Sequence, residues 1–110
     1  MQLSTDIWVS ALIRRAELAG AFAMVERKGD ARAGAVLVKV LNRPQGTARL
    51  YAEATRMDGE RVWMQPALSD QEPDLDRYIE RAVRVDPDIW VVEIDDREGR
   101  HFLTEPVDKA

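Results

Sequence analysis

The 110-residue chain contains no cysteine. That removes disulfides, thiolate metal sites and cysteine nucleophiles together, and it fits a reducing compartment. Long apolar runs are missing as well, since no stretch approaches the roughly 20 residues of a membrane-spanning helix. The opening Met1–Asp6 has no cationic segment, and the apolar stretch Ile7–Ile13 is short and broken by Ser10, so no secretory signal is read. A positive charge balance is absent too. The formal net charge is −4 and the isoelectric point is near 5.0, which excludes a global field drawing the protein to nucleic acid or an anionic membrane. Glycine-rich phosphate signatures, internal repeats and low-complexity segments do not occur. What remains is 45% hydrophobic and 33% charged, the balance of one globular domain over 1–110, expected in the cytoplasm.

Leu3–Gly20 reads as a helix, with Thr5 as its N-cap and Gly20 as its stop. Trp8, Val9, Leu12, Ile13, Ala16 and Ala19 share one arc, made to lie on a sheet. Ala21–Lys28 is the first strand, followed by Lys28-Gly29-Asp30 and Ala33-Gly34 as turn residues. Ala35–Leu41 is apolar at nearly every position, as expected of a central strand covered on both faces. Thr47–Ala54 alternates, and Arg61–Gln65 is a short strand stopped by Pro66. Ser69-Asp70-Gln71-Glu72 spells a capping box. After it Leu75, Tyr78, Ile79, Ala82 and Val83 give the spacing of an amphipathic helix, ended by Asp86-Pro87-Asp88. Ile89–Asp95 is the fifth strand. Asp96-Arg97-Glu98-Gly99 turns the chain into a short last strand, Arg100–Thr104, and Glu105–Ala110 is expected as a flexible tail.

The expected fold is therefore α+β: an N-terminal helix, a four-strand antiparallel meander, a second helix, and a final strand with a short hairpin return. The two-sided apolar character of Ala35–Leu41 and Ile89–Ile94 favours helices on opposite faces of the sheet over helices sharing one face.

Three segments carry a family likeness. They are Asp6-Ile7-Trp8-Val9-Ser10-Ala11-Leu12-Ile13-Arg14-Arg15-Ala16-Glu17, then Arg27-Lys28-Gly29-Asp30 leading into Ala33-Gly34-Ala35-Val36-Leu37-Val38-Lys39-Val40, and Asp86 through Arg100. Taken in this order, they resemble a family of small alphaproteobacterial proteins, domain of unknown function 1491. The resemblance implies a single bacterial cytosolic domain and carries no catalytic residues.

Several residues are candidates for chemistry. Glu93 and Asp95 share a strand face near Asp96 and Glu98, where carboxylates could hold a hard cation; the plainer reading is a solvated strand end. His101, the single histidine, could act as a base beside them, or be an ordinary strand residue. Arg14 and Arg15 could clamp an anion, or pair with acids to fix helix to sheet. Together Arg14, Arg15, Glu93, Asp95 and His101 form the candidate ligand site. Trp63, with Tyr51, Arg61 and Met64, is either an exposed interface cluster or core covered by the second helix. Glu26-Arg27-Lys28 and Lys39 lack the spacing of a nuclease centre. Arg43, Arg49, Arg56 and Arg61 interleave with Tyr51 and Trp63 in a way that could stack on bases, but Glu53, Asp58 and Glu60 lie among them.

The leading expectation is a non-enzymatic module that binds another protein or pairs with itself through the meander edge and Trp63. A ligand binder or enzyme using the Arg/acid/His cluster is the alternative, followed by weak nucleic-acid binding. No cofactor, metal or membrane partner is expected.

Overall fold

The computed structural model describes residues 3–109. Met1, Gln2 and Ala110, at the ends of the expected domain and tail, lie outside the described residues. Eight elements follow in order: α1 (Thr5–Leu18), β1 (Phe22–Arg27), β2 (Val36–Asn42), β3 (Thr47–Thr55), β4 (Arg61–Gln65), α2 (Glu72–Val85), β5 (Trp90–Asp95) and β6 (Val107–Lys109). The class is α+β. The strands form one mixed sheet in the order β1-β5-β2-β3-β4-β6. Among the described residues no helix is long and apolar enough to cross a membrane.

The helices lie on opposite faces. Trp8, Val9, Leu12 and Ala16 of α1 pack with Val36, Val38, Val40, Val92 and Ile94. Leu75 and Ile79 of α2 pack with Leu37, Leu41, Leu50 and Val91 on the other side. Both helix rings expected to meet the sheet do so: Trp8 is buried and Tyr78 is partly buried. A strand dry on both faces belongs in the middle of a sheet. β2 satisfies that requirement and β5 does so over Trp90–Val92; the two pair in parallel, Val38 beside Val92 and Val40 beside Ile94.

This pairing corrects the expected strand order. The antiparallel meander runs only through β2, β3 and β4. β1 does not join β2; it lies antiparallel to β5 on β5's far side. The glycine-marked segment between β1 and β2 is thus not a tight turn but a bridge across the start of β5. There Asp30 N–H donates to the Asp88 carbonyl, and Trp90 Nε1 donates to the Asp30 carbonyl at 2.7 Å. With β1 and β2 on either side of β5, no edge is left for a hairpin return. Gly99 still turns the chain, with φ +69°. Residues 100–106 then cross the α1 face without forming the expected strand. The expected tail instead supplies β6, parallel to β4, with Trp63 beside Val107.

Helix starts also differ from expectation. Ser4 holds the N-cap position of α1 with its hydroxyl donating to Asp6 rather than capping a backbone N–H, while the Thr5 hydroxyl donates to the Gly34 carbonyl at 2.9 Å. α2 begins at Glu72 after Gln71, and Ser69 bonds Asp74 rather than closing a capping box.

Gly29 provides a sharp test of the bridge. A methyl group there would overlap the Asp88 carbonyl and lie 2.7 Å from Trp90 Cδ1. Gly29→Ala is expected to cost about 1–3 kcal/mol by overpacking, read by urea unfolding. An unchanged midpoint would mean that the bridge does not press on β5.

Candidate functional site

Lys39 is the one charged residue inside the otherwise apolar run of β2. Its residue exposure is 1%. Its ammonium is surrounded by four carboxylates from three elements. Glu72 and Asp76, one turn apart on α2, each accept a hydrogen bond at 2.9 Å. Glu93 of β5 lies at 3.4 Å and Glu26 of β1 at 3.5 Å. Burial works against the charge, yet the bonds to Asp76 and Glu72 outweigh it and raise the lysine pKa above its ordinary value. α2 is thus tied to the sheet by a shared cation. This also explains where α2 begins, because Glu72 must face the sheet.

The expected carboxylate cluster is divided among cations. Asp95 pairs with Arg43, Glu93 faces Lys39, and Asp96 and Glu98 both pair with Arg100. Asp96 is buried, and its pKa is lowered chiefly by the Arg100 hydrogen bond. Among the described residues no group of three or more His, Asp or Glu side chains is placed to hold a metal.

Arg15 and His101 lie on the opposite, α1 face. Arg15 donates through Nε and Nη2 to the Phe102 carbonyl at 3.2 and 3.0 Å, holding residue 102 at φ +60°. His101 Nδ1 accepts the Leu103 N–H at 2.9 Å, and its ring meets Tyr51 edge-on at 4.9 Å. Burial lowers the imidazole pKa. Arg14 is exposed on α1. The sheet therefore separates Arg15 and His101 from Glu93 and Asp95, and these five residues do not converge.

Trp63 is fully buried, at 0% exposure, and stacks on Trp8 with ring centroids 5.3 Å apart. It is core, but the cover comes from α1 and the 100–106 crossing rather than from α2. Both indoles donate to Glu105, Trp63 at 2.9 Å and Trp8 at 3.3 Å. Burial raises the Glu105 pKa, but these two bonds together prevail and hold it below the ordinary range. Arg61 lies over Trp8 at 5.7 Å and pairs with Glu53 at 2.8 Å. Tyr51 is buried, and Met64 is exposed on the α2 side of β4. The four interface candidates thus divide between core and surface. Of the arginines considered for bases, Arg43, Arg56 and Arg61 hold carboxylates.

The surface that stands out lies elsewhere. β1 is an outer strand, paired only with β5. Its Phe22, Met24 and Val25 are 65%, 43% and 37% exposed. Ala21–Val25 carries no charge, and the one irregularity in the strand is the register shift between Val25 and Arg27. The uncharged residues Phe22–Val25 leave most of this six-residue edge open, while Glu26, Arg27 and the register shift guard only its end. Met24 lies beside Glu93 in the ladder and Phe22 beside Asp95, so the open edge borders the acidic side of the sheet.

Two measurements test this electrostatic picture. Lys39→Met is expected to lower stability by about 1–3 kcal/mol, less than for a fully buried pair because three of the carboxylates stay partly hydrated. Added salt should recover part of that loss by screening the carboxylates left behind; a loss that salt leaves unchanged would contradict the cluster. For His101, the folded pKa lies below the unfolded value near 6.5. The neutral ring's contribution is therefore complete above pH 6.5 and lost as pH falls through the folded pKa. His101→Gln should flatten the stability profile between neutral pH and about pH 5; a profile parallel to that of the unaltered protein would remove histidine from the account.

Comparison with known proteins comes to the same architecture. The model of a protein of unknown function, DUF1491, matches residues 3–104. A crystal structure of a DUF1491 family protein from Caulobacter crescentus is 77% identical, with a TM-score of 0.94 over 97% of this chain and 100% of that one. An NMR structure of a DUF1491 family protein from the same organism is 77% identical, with a TM-score of 0.92 over 98% of each chain. The solution structure of protein Atu0922 from A. tumefaciens is 37% identical, with a TM-score of 0.81 over 96% of this chain and 95% of that one. A search of curated proteins found no match. The chain belongs to the DUF1491 family.

Proposed function

We propose that this protein is a cytoplasmic, non-enzymatic binding module that accepts an extended segment of another protein as an added strand on β1. The observation that carries this reading is the open, uncharged edge Ala21–Val25 with its exposed Phe22, Met24 and Val25. Strand addition draws affinity from main-chain hydrogen bonds and specificity from alternate side chains. At the other side of the sheet the outer strand β6 is only three residues long. The polar groups considered for catalysis are spread over two faces, and Arg15, Glu93, Asp95 and His101 are tied to structural partners, so they lend no support to an enzyme.

A foreign segment fits this edge better than a second copy. Two β1 strands paired antiparallel about Ala23 would keep both α2 faces on the same side. Met24 would then lie beside Phe22 of the second copy, which sets Glu93 opposite Asp95 of that copy across the two β1 strands, in a chain whose net charge is already −4. Like charges so placed oppose association.

The test is selection of extended peptides from a random library on the immobilised protein, with binders mapped by amide chemical shifts. The expected binders perturb Phe22–Val25. Replacing Phe22 and Met24 together by Ser should weaken them about tenfold or more, a loss of roughly 1.4 kcal/mol. Both side chains are exposed, so the fold should survive. Binders that map instead to the Arg61–Trp8 side, or a concentration-dependent dimer formed through β1, would overturn the reading.

A further inference from the structure

We infer that the segment accepted by β1 is basic, with Lys or Arg alternating with apolar residues; this rests on the strand-acceptor reading above. The argument is one of register and charge. Side chains on an added strand alternate between the two faces of the sheet. On the α2 side they would stand next to Phe22 and Met24, whose ladder neighbours are Asp95 and Glu93. Glu26 extends this border along β1, and Glu72 and Asp76 of α2 meet Glu26 at the Lys39 ammonium. Among the described residues these five carboxylates pair with two cations, Lys39 and Arg43. Lys39 is buried among four of the acids, Arg43 is on Asp95, and Arg27 donates to the Pro87 carbonyl at 3.0 Å beyond the register shift. Glu26, Glu72 and Asp76 keep 41%, 42% and 45% side-chain exposure, so they are open to a further cation.

Distance allows the contact. An added strand lies about 4.8 Å from β1 and roughly twice that from β5. The first separation is inside the screening length of about 8 Å at physiological salt, and the second is slightly beyond it. A Lys or Arg there can lay its aliphatic stem over Met24 and reach Glu26 or Glu93 with its charged end. On the opposite side the edge presents the partly exposed Val25 beside the buried Ala23. An apolar residue suits that side. The combined preference is alternation of basic and apolar side chains along an extended segment. An acidic segment of the same shape would meet like charge and be rejected.

The probes are two end-blocked octapeptides, one alternating Val with Lys and the other Val with Glu, titrated into the full chain in low salt. Amide shifts of Phe22–Val25 report where each binds. The Lys peptide is expected to bind there at least tenfold more tightly, with the preference shrinking as salt is added. Glu26→Gln should reduce the preference severalfold while leaving amide signals away from β1 in place. Equal affinity for the two peptides at β1 overturns the charge inference and leaves the strand-acceptor reading standing. A preference for the Glu peptide does the same. Failure of both to perturb β1 overturns the reading and the inference together.

Discussion

The parallel pairing of β2 with β5 is the constraint on which the rest of the molecule depends. β2, and β5 over Trp90–Val92, must be dry on both faces, so each needs a helix above, a helix below and a strand on either side. α1 and α2 supply the two layers. β3 flanks β2, and only β1 remains to flank β5. The long bridge between β1 and β2, the absence of a terminal hairpin and the route of residues 100–106 over the α1 face all follow. Placing β1 last also leaves its outer side without a partner.

Within that frame, the buried Lys39 and the partly buried Glu105 and Arg15 tie layers together. Lys39 joins α2 to β1, β2 and β5 through four acids. Glu105 anchors the final crossing to α1 and β4 through two indole N–H groups. Arg15 fixes the same crossing through a backbone carbonyl. Buried charges add little net stability unless every polar contact is made. Their more certain effect is on uniqueness, because a shifted register would strand a lysine or a carboxylate in an apolar layer. The β1 edge has no such device. Its apolar side chains lie open beside the acidic end of the Lys39 cluster, and that contrast gives the edge its character as a binding surface.

Much of the architecture is legible in the residue pattern. The two amphipathic periods place both helices, and the two-sided apolar runs around Val38 and Val92 mark the central strands and helices on both faces. Strand neighbours are another matter. Gly29 and Gly34 look like a turn, although their role is to let the bridge press against the backbone of residues 88–89. Periodicity along one strand carries no record of which strand lies beside it. The sequence around Trp63 leaves its burial open because its cover comes from Trp8, 55 positions earlier, and from the crossing that carries Glu105, 42 positions later. Lys39 did carry a signal, a lone charge in an apolar strand, but its four partners are scattered from Glu26 to Glu93. The uncharged run Ala21–Val25 was visible too; that it lies on an outer edge emerges only from the sheet order.

The claim that β1 is an unpaired outer strand is most directly tested by amide hydrogen exchange on the free protein in dilute solution. Alternate amides from Phe22 to Val25 should exchange rapidly, between slow neighbours bonded to β5, while β2 and β5 stay protected throughout. Uniform protection along β1 would mean that its outer side is already covered, and the account of an open acceptor edge would fail.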